Sequence, residues 1–295
     1  MYERAKYKES TVKPWISVKD PVGTLKWDGA SFFLQVEPDG ALRFFSRRPS
    51  VKGGFPERTA SLPQLTNKKL PQFAGNVYNV ELVHTGHSAS AQENHPTLSG
   101  ILNSLSPKSI ATQKEIGPVR AVLHNVIYPE LPTFKDKLLH MKTFQDAFGN
   151  PDLLKVVHPH IGAESIAKLI AKTRLGGQEG VIVTSLTEPE NTNTRVKVKH
   201  QYYFNLRVVG FEEELDKNGK PKGSMGSLVV ADKTGRIVAN VGTGFTAAMR
   251  KEIWESRSSW MHQLVQVKTM GLAKLRLRSP VYNGIADSED ADVVS

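Results

Sequence analysis

Alternating apolar and polar positions mark most of the first half of the chain as β-structure. Residues 22–47 read as strands, with SFFLQVE and ALRFFSRR flanking the turn tripeptide Pro38-Asp39-Gly40, so a hairpin is predicted there. After a Pro- and Lys-containing connection, VYNVELV (77–83) is another β-rich run, and RAVLHNVIY (120–128) returns to strand character. Residues 85–118 between them are rich in Ser, Thr, Asn, Gly and His and read as a mobile surface excursion rather than core. The period then changes. Leu138, Met141, Phe144 and Phe148 recur at helical spacing and stop at Gly149, which predicts an amphipathic helix over 134–149. AESIAKLIAKTRLGG (163–177) predicts a second helix with a two-glycine stop, and EGVIVTS and RVKVKHQYYFNLRVVGF predict two more strands.

Past about residue 203 the texture becomes short β runs, polar turns and one brief helix near TAAMRKEIW (246–254), a pattern suited to a small β-barrel. The acidic end, ADSEDADVVS, reads as frayed. No internal repeat is evident. The expectation is two domains of α+β class, 1–202 and 203–295, with the boundary inside or just after a continuous strand.

Composition changes this picture in two ways. With 295 residues, 39% hydrophobic, the chain has enough apolar material for two cores. No window approaches the roughly 18 apolar residues of a membrane span, and the start, MYERAKYKES, lacks the apolar stretch of a secretory signal. The absence of cysteine removes disulfides, thiolate metal sites and cysteine nucleophiles, so a cytoplasmic protein without membrane attachment is expected. The net charge of +10 fits a polyanionic partner such as a duplex backbone, and equally a merely basic soluble protein.

Candidate chemistry begins in TLKWDGAS. Strand periodicity puts Thr24, Lys26 and Asp28 on one face, and Gly29 frees the backbone to turn. A Lys and an Asp two apart are suggestive because a carboxylate or its bound metal tunes an amine; a solvated strand end is the plainer alternative. Glu81 sits among β-branched residues on a face with Val77, Asn79 and Val83, and Glu179 on one with Val181 and Val183. A carboxylate there is costly unless paired or coordinated. In RVKVKHQ, alternation aligns Arg195, Lys197 and Lys199 about 7 Å apart, where they repel unless something anionic covers them. An edge strand guarded by lysines explains the same pattern. GKPKGSMG lacks a following helix and is not a phosphate loop, and neither His84, His87 and His95 nor His158 and His160 show zinc spacing.

Taken in order, K-x-D-G, a strand Glu, E-G-V and K-x-K resemble the covalent nucleotidyltransferase superfamily, which includes DNA ligases, RNA ligases and mRNA capping enzymes. The resemblance spans nearly the whole chain. Its tail, GSMGSLVVADKTGRIVANVGTGFTAAMRKEIW, looks like the oligonucleotide-binding (OB) barrel of small viral and phage ATP-dependent DNA ligases. The resemblance implies a nucleotidyltransferase domain of packed antiparallel sheets with helices, then an OB-fold barrel. It implies an enzyme that seals 3′-hydroxyl/5′-phosphate nicks in duplex DNA, in repair, replication or recombination. ATP is the implied AMP donor, Mg²⁺ or another divalent cation the metal, nicked double-stranded DNA the partner and a monomer the working form, in the host cytoplasm if phage-encoded. With about 25 residues ahead of Lys26 and only DKNGKPKG where related small ligases carry a long latch loop, a minimal enzyme is expected.

By the same resemblance Lys26 is the nucleophile that takes AMP, and Thr24 faces the adenine. Asp28 and Glu179 act around the metal, Glu81 holds the ribose hydroxyls, and Lys197 and Lys199 grip the α-phosphate. Arg47, in FFSRRPS, contacts the nick phosphate or the nucleotide. The aromatic expected on the base aligns with His124, with Tyr128 as the rival, and LRLRSPVYNGIADSED resembles the final motif with Arg278 in register. A free lysine, of pKa about 10.4, is almost wholly protonated at neutral pH, so an attacking amine needs cationic neighbours, which phosphoryl transfer also needs. Two departures stand out. Ser31 occupies the place of an expected Arg, leaving Arg47, Arg48 or Arg43 to compensate, and Ala286 replaces another, leaving Arg278 alone or Lys274 and Arg276. An RNA ligase of the same superfamily, a capping guanylyltransferase taking GTP, and a catalytically impaired nucleic-acid-binding relative are the other readings.

Overall fold

In the computed structural model the described residues are 15–51, 53–84, 91–176, 178–191, 194–273, 275–287 and 290–294, with backbone only at 91–96 and 273. The chain forms two compact units, 1–199 and 200–295, each with its own core. In the first, β1 (Pro21–Lys26), β2 (Ala30–Val36) and β3 (Leu42–Ser46) precede a short helix α1 (Pro63–Thr66) and strand β4 (Val77–His84). Helices α2 (Ala91–Asn103) and α3 (Ser106–Ile116) lead into β5 (Val119–Tyr128), α4 (Phe134–Phe148) and the short strands β6 (Leu154–Val156) and β7 (His160–Ile161). Helix α5 (Ala163–Leu175), β8 (Gly180–Ser185) and β9 (Arg195–Lys199) complete the unit.

Two sheets result, ordered β7-β1-β8-β9 and β3-β2-β4-β5-β6. Register assigns their faces, because cross-strand partners share a side. In the four-stranded sheet Val181, Val183 and Val196 face α5 with Ile166 and Leu169, while Thr24, Ile182, Lys26, Lys197 and Lys199 occupy the other side. In the five-stranded sheet Phe32, Leu34, Val80, Leu82 and Leu123 build the main core against α2 and α4, while Ser31, Glu81, Val122 and Lys155 run across the opposite face. Each sheet thus turns one apolar face to helices, while Lys26, Lys197 and Lys199 of one and Glu81 and Lys155 of the other lie on the opposite faces.

The predicted helix over 134–149 forms as α4. Thr133 caps it by accepting from the Asp136 amide at 3.2 Å, and Gly149 ends it at φ 73°. The hairpin turns at Gly40, φ 83°. Residues 85–118 differ from expectation. Of these, 85–90 lie outside the described residues, but 91–116 form α2 and α3, and Leu98, Ile101 and Leu102 are core. The polar composition misled because α3 buries Ser109 and Gln113 instead of an apolar stripe. The Gln113 amide donates to the Ser61 carbonyl at 2.7 Å, and its oxygen accepts from the Val119 amide at 3.0 Å.

The second unit contains β10 (Tyr202–Leu215), β11 (Pro221–Ala231), β12 (Ile237–Val241), helices α6 (Ala247–Glu255) and α7 (Arg257–Trp260), and β13 (Leu264–Thr269). The pair β14 (Leu272–Ala273) and β15 (Arg276–Leu277) and the strand β16 (Val281–Ile285) follow. The expected continuous strand over 195–211 breaks at His200–Gln201, between β9 and β10. Order β12-β11-β10-β13-β16 makes a five-stranded antiparallel sheet whose two edges meet at one parallel bridge, Thr243↔Val281. GTGF sits at that seam. Gly244, at φ 99°, passes so close to Tyr282 that a side chain would strike its carbonyl, which lets Phe245 stack on the Tyr282 ring at 4.5 Å. Nor are the described residues 290–294 of the acidic end frayed: the Asp292 amide donates to Asn205 at 2.7 Å, and Val294 is fully buried.

Leu98→Ala should therefore cost about 2–5 kcal/mol in a urea titration, as core truncations do. Leu105→Ala, at a position 83% exposed, should change stability by less than about 0.5 kcal/mol.

Candidate active site

Lys26 is the last residue of β1, opposite Gly180 at the start of β8. Its ammonium pairs directly with Glu179, whose other carboxylate oxygen lies 3.9 Å from the Lys199 ammonium at the end of β9. Two glycines allow this crowding. A side chain at Gly180 (φ +144°) would collide with the Val198 carbonyl, and one at Gly29 with that of Leu82. Because Gly29 comes so close to β4, its amide donates to Glu81 at 3.1 Å.

The strand ends shift two expected placements. β1 stops at Lys26, so Asp28 lies beyond the strand, just before the bend at Gly29, rather than on the strand face with Thr24 and Lys26, and Glu179 precedes β8 rather than alternating with Val181. Both carboxylates therefore lie on backbone outside the strands, with Glu179 against the Lys26 ammonium. Thr24 is buried on the Lys26 face, and Lys197 lies on the same face opposite Ile182.

Burial, followed by repulsion from Glu179, raises the Glu81 carboxyl to about 7 despite the opposing pull of Lys26, the Gly29 amide and Arg47. Ser31 is cross-strand to Glu81, and its carbonyl accepts from the Arg47 amide at 3.1 Å, so Arg47 adjoins the position where an Arg was expected. Arg43 is engaged elsewhere, bridging Glu57 at 2.6 Å and Glu37 at 3.3 Å, and Arg48 is exposed.

His124 enters through a β-bulge. Val80 pairs with Leu123 and Asn79 with Asn125, so His124 is an extra residue between them. Burial, then Arg195, Arg47 and Lys26, lower its imidazole to about 3 against an opposing pull from Glu190, so it is neutral among cations. Tyr128, at the far end of β5, is half exposed. Beside His124 lies a cluster that sequence reasoning missed. Glu190 is almost fully buried, at 2.9 Å from both Lys137 and Arg195, and accepts from Asn125 at 3.2 Å. Burial alone would raise its carboxyl, but the two cations outweigh that and hold it below the usual range. One signal was present, because Lys137 falls on the apolar stripe of α4 between Phe134 and Met141.

Among the described residues no three His, Asp or Glu side chains form a metal-binding group. His158 and His160 merely meet edge to face at 5.1 Å; His87, the side chain of His95, and Lys274 lie outside the described residues. Arg278 belongs to the second unit, where its amide donates to Gly271 at 2.9 Å and its carbonyl accepts from the Thr269 hydroxyl at 2.6 Å. Ala286 follows β16, its amide donating to Leu264 at 2.9 Å. Among the described residues no helix is long and apolar enough to cross a membrane.

No family model and no curated protein sequence matches the chain. Solved structures do. A structure from the structure-function analysis of Lig E DNA ligases superimposes with a TM-score of 0.65 at 18% identity, over 91% of this chain and 93% of that one. The chain has the fold of a DNA ligase. A second structure, Pmar-Lig_Pre, matches with a TM-score of 0.67 at 20% identity over 92% of this chain; it is longer, and 65% of it is covered. The ligase fold accounts for both units, the two-sheet unit carrying Lys26 and the five-stranded sheet of an OB-fold.

The raised carboxyl gives a test. Unfolded, Glu81 ionises near 4.5, while folded it keeps its proton to about 7, so its contribution to stability declines as pH rises through that window. Glu81→Gln keeps an acceptor for the Gly29 amide. Its Tm should match the parent at pH 4 and exceed it by about 2–4 °C at pH 8, measured calorimetrically.

Proposed function

We propose that the chain is an ATP-dependent DNA ligase that carries AMP on Lys26 and seals nicks in duplex DNA, working as a monomer. The observation that carries this reading is the Lys26 ammonium set against Glu179 and Lys199, with Glu81 and His124 close enough for Lys26 to act on their titration. The ligase fold of both units supports it.

In the proposed reaction the Lys26 amine, having lost its proton, attacks the α-phosphorus of ATP. A nitrogen–phosphorus bond forms as the bond to the bridging oxygen breaks, and pyrophosphate leaves with the electron pair. Lys197 and Lys199 neutralise the charge spreading over the phosphoryl oxygens. Thr24 and neutral His124 flank the adenine; a protonated imidazole there would add to a cationic wall. Glu81 accepts from the ribose hydroxyls, and Arg47 reaches the nick phosphate or the nucleotide. Arg278 is proposed to orient the leaving pyrophosphate. AMP then passes to the 5′-phosphate, and the 3′-hydroxyl displaces it to form the phosphodiester.

The residues present fit a divalent cation. Asp28, two residues past Lys26, and Glu179, paired with its ammonium, offer two carboxylates, and Mg²⁺ commonly takes only one or two along with phosphates and water. Asp28 and Glu179 would hold it. When bound it supplies charge neutralisation at the phosphates.

Incubation with α-labelled ATP, followed by nicked duplex, tests the reading. Label should appear on the protein and sealed strand on addition of DNA. Lys26→Ala should reduce label transfer below detection with an unchanged circular dichroism spectrum; persistent labelling would overturn the assignment. His124→Ala should raise the ATP concentration needed for half-maximal adenylylation roughly fivefold, and His124→Phe should restore it. Equal behaviour of the two variants would remove the base contact from position 124.

A further inference from the structure

Outside the groups around Lys26, the polar face of the five-stranded sheet carries a second set of charges. Cross-strand pairing places Glu81, Val122 and Lys155 in one row, and Val83 with Arg120 in the next. Lys155 therefore lies two strand spacings, roughly 10 Å, from Glu81 on the same face. Its ammonium sits 4.1 Å from the centre of the Trp27 ring, the residue between Lys26 and Asp28. The Arg120 Nε is buried without a hydrogen-bond partner. Among the described residues neither cation forms a salt bridge, and burial followed by repulsion from Arg120 lowers the Lys155 ammonium, with Asp152 opposing. Two like charges held half-buried at close range repel, and a bound anion would relieve that repulsion.

We propose that Lys155 and Arg120 form a phosphate-binding site that grips a backbone phosphodiester of the nicked DNA. This rests on the ligase reading above. Guanidinium and ammonium groups together match a phosphodiester, a planar fork beside a point charge. The Lys155 ammonium occupies a Trp27 face, which disfavours stacking of a base there. The phosphates of ATP have their own cations, Lys26, Lys197 and Lys199, on the facing sheet. Lys155 lies roughly 10 Å from Glu81, away from the cations that face the reacting phosphate, so the phosphate gripped is one near the nick rather than the reacting one.

The test uses the adenylylated full chain with nicked duplex across a salt series, in the parent and in Lys155→Gln, Arg120→Gln, Lys155→Arg and Arg120→Lys. Each Gln variant should raise the KM for nicked DNA about fivefold to tenfold. Each should also make the log–log salt dependence shallower by about 0.9, one phosphate contact. Self-adenylylation should stay within about twofold, and the charge-keeping variants should retain the parental salt slope. Unchanged KM and slope in the Gln variants would overturn the site, and so would a parallel fall in self-adenylylation, which would give the cations to ATP. If Arg120→Gln does not fold, Lys155→Gln decides alone. Absence of protein-bound AMP in the parent would overturn the ligase reading and this site together, a result distinct from a defect or its lack in the variants only.

Discussion

Charge compensation around the Lys26 ammonium is the constraint on which the rest of the first unit depends. A lysine, two nearby carboxylates and a further cation lie together there, and each would be costly to bury alone. Glu179 links the ends of β1 and β9, and Glu81 answers from the facing sheet through the Gly29 amide. The glycines at 29 and 180 are the backbone counterpart of this arrangement, since any side chain there would push apart the strands that bring the charges together.

The Glu190 cluster shows the same economy one layer further in. Its carboxylate joins α4 through Lys137, β9 through Arg195 and β5 through Asn125. Three elements far apart in sequence are held in register beside His124 by one buried anion. Removing that anion would leave two cations buried without a counter-charge, a loss usually larger than the net worth of the pairs themselves.

Much of this was legible in the residues, and what was not has physical reasons. The helix over 134–148 and the hairpin at Gly40 announced themselves because apolar period and terminators agree. Lys26 and Glu81 were identifiable from order and spacing, but Asp28 and Glu179 were misplaced by strand alternation because β1 ends at Lys26 and β8 begins only at Gly180. Helix α3 escaped because Gln113 and Ser109 turn hydrogen-bonding groups inward, which no apolar period records. Glu190 lies between β8 and β9, where no periodicity exists to reveal burial.

The bulge at residue 124 has a consequence for how such a pocket can change over time. Because Leu123 and Asn125 carry the pairing on either side, the residue between them is outside the ladder and contributes its side chain without supporting the sheet. Under the proposed reading, a substitution there changes what faces the nucleotide without removing a ladder pair. The fold thus contains an interchangeable socket, a place where drift or directed evolution can sample aromatic, polar or small side chains at little risk to folding.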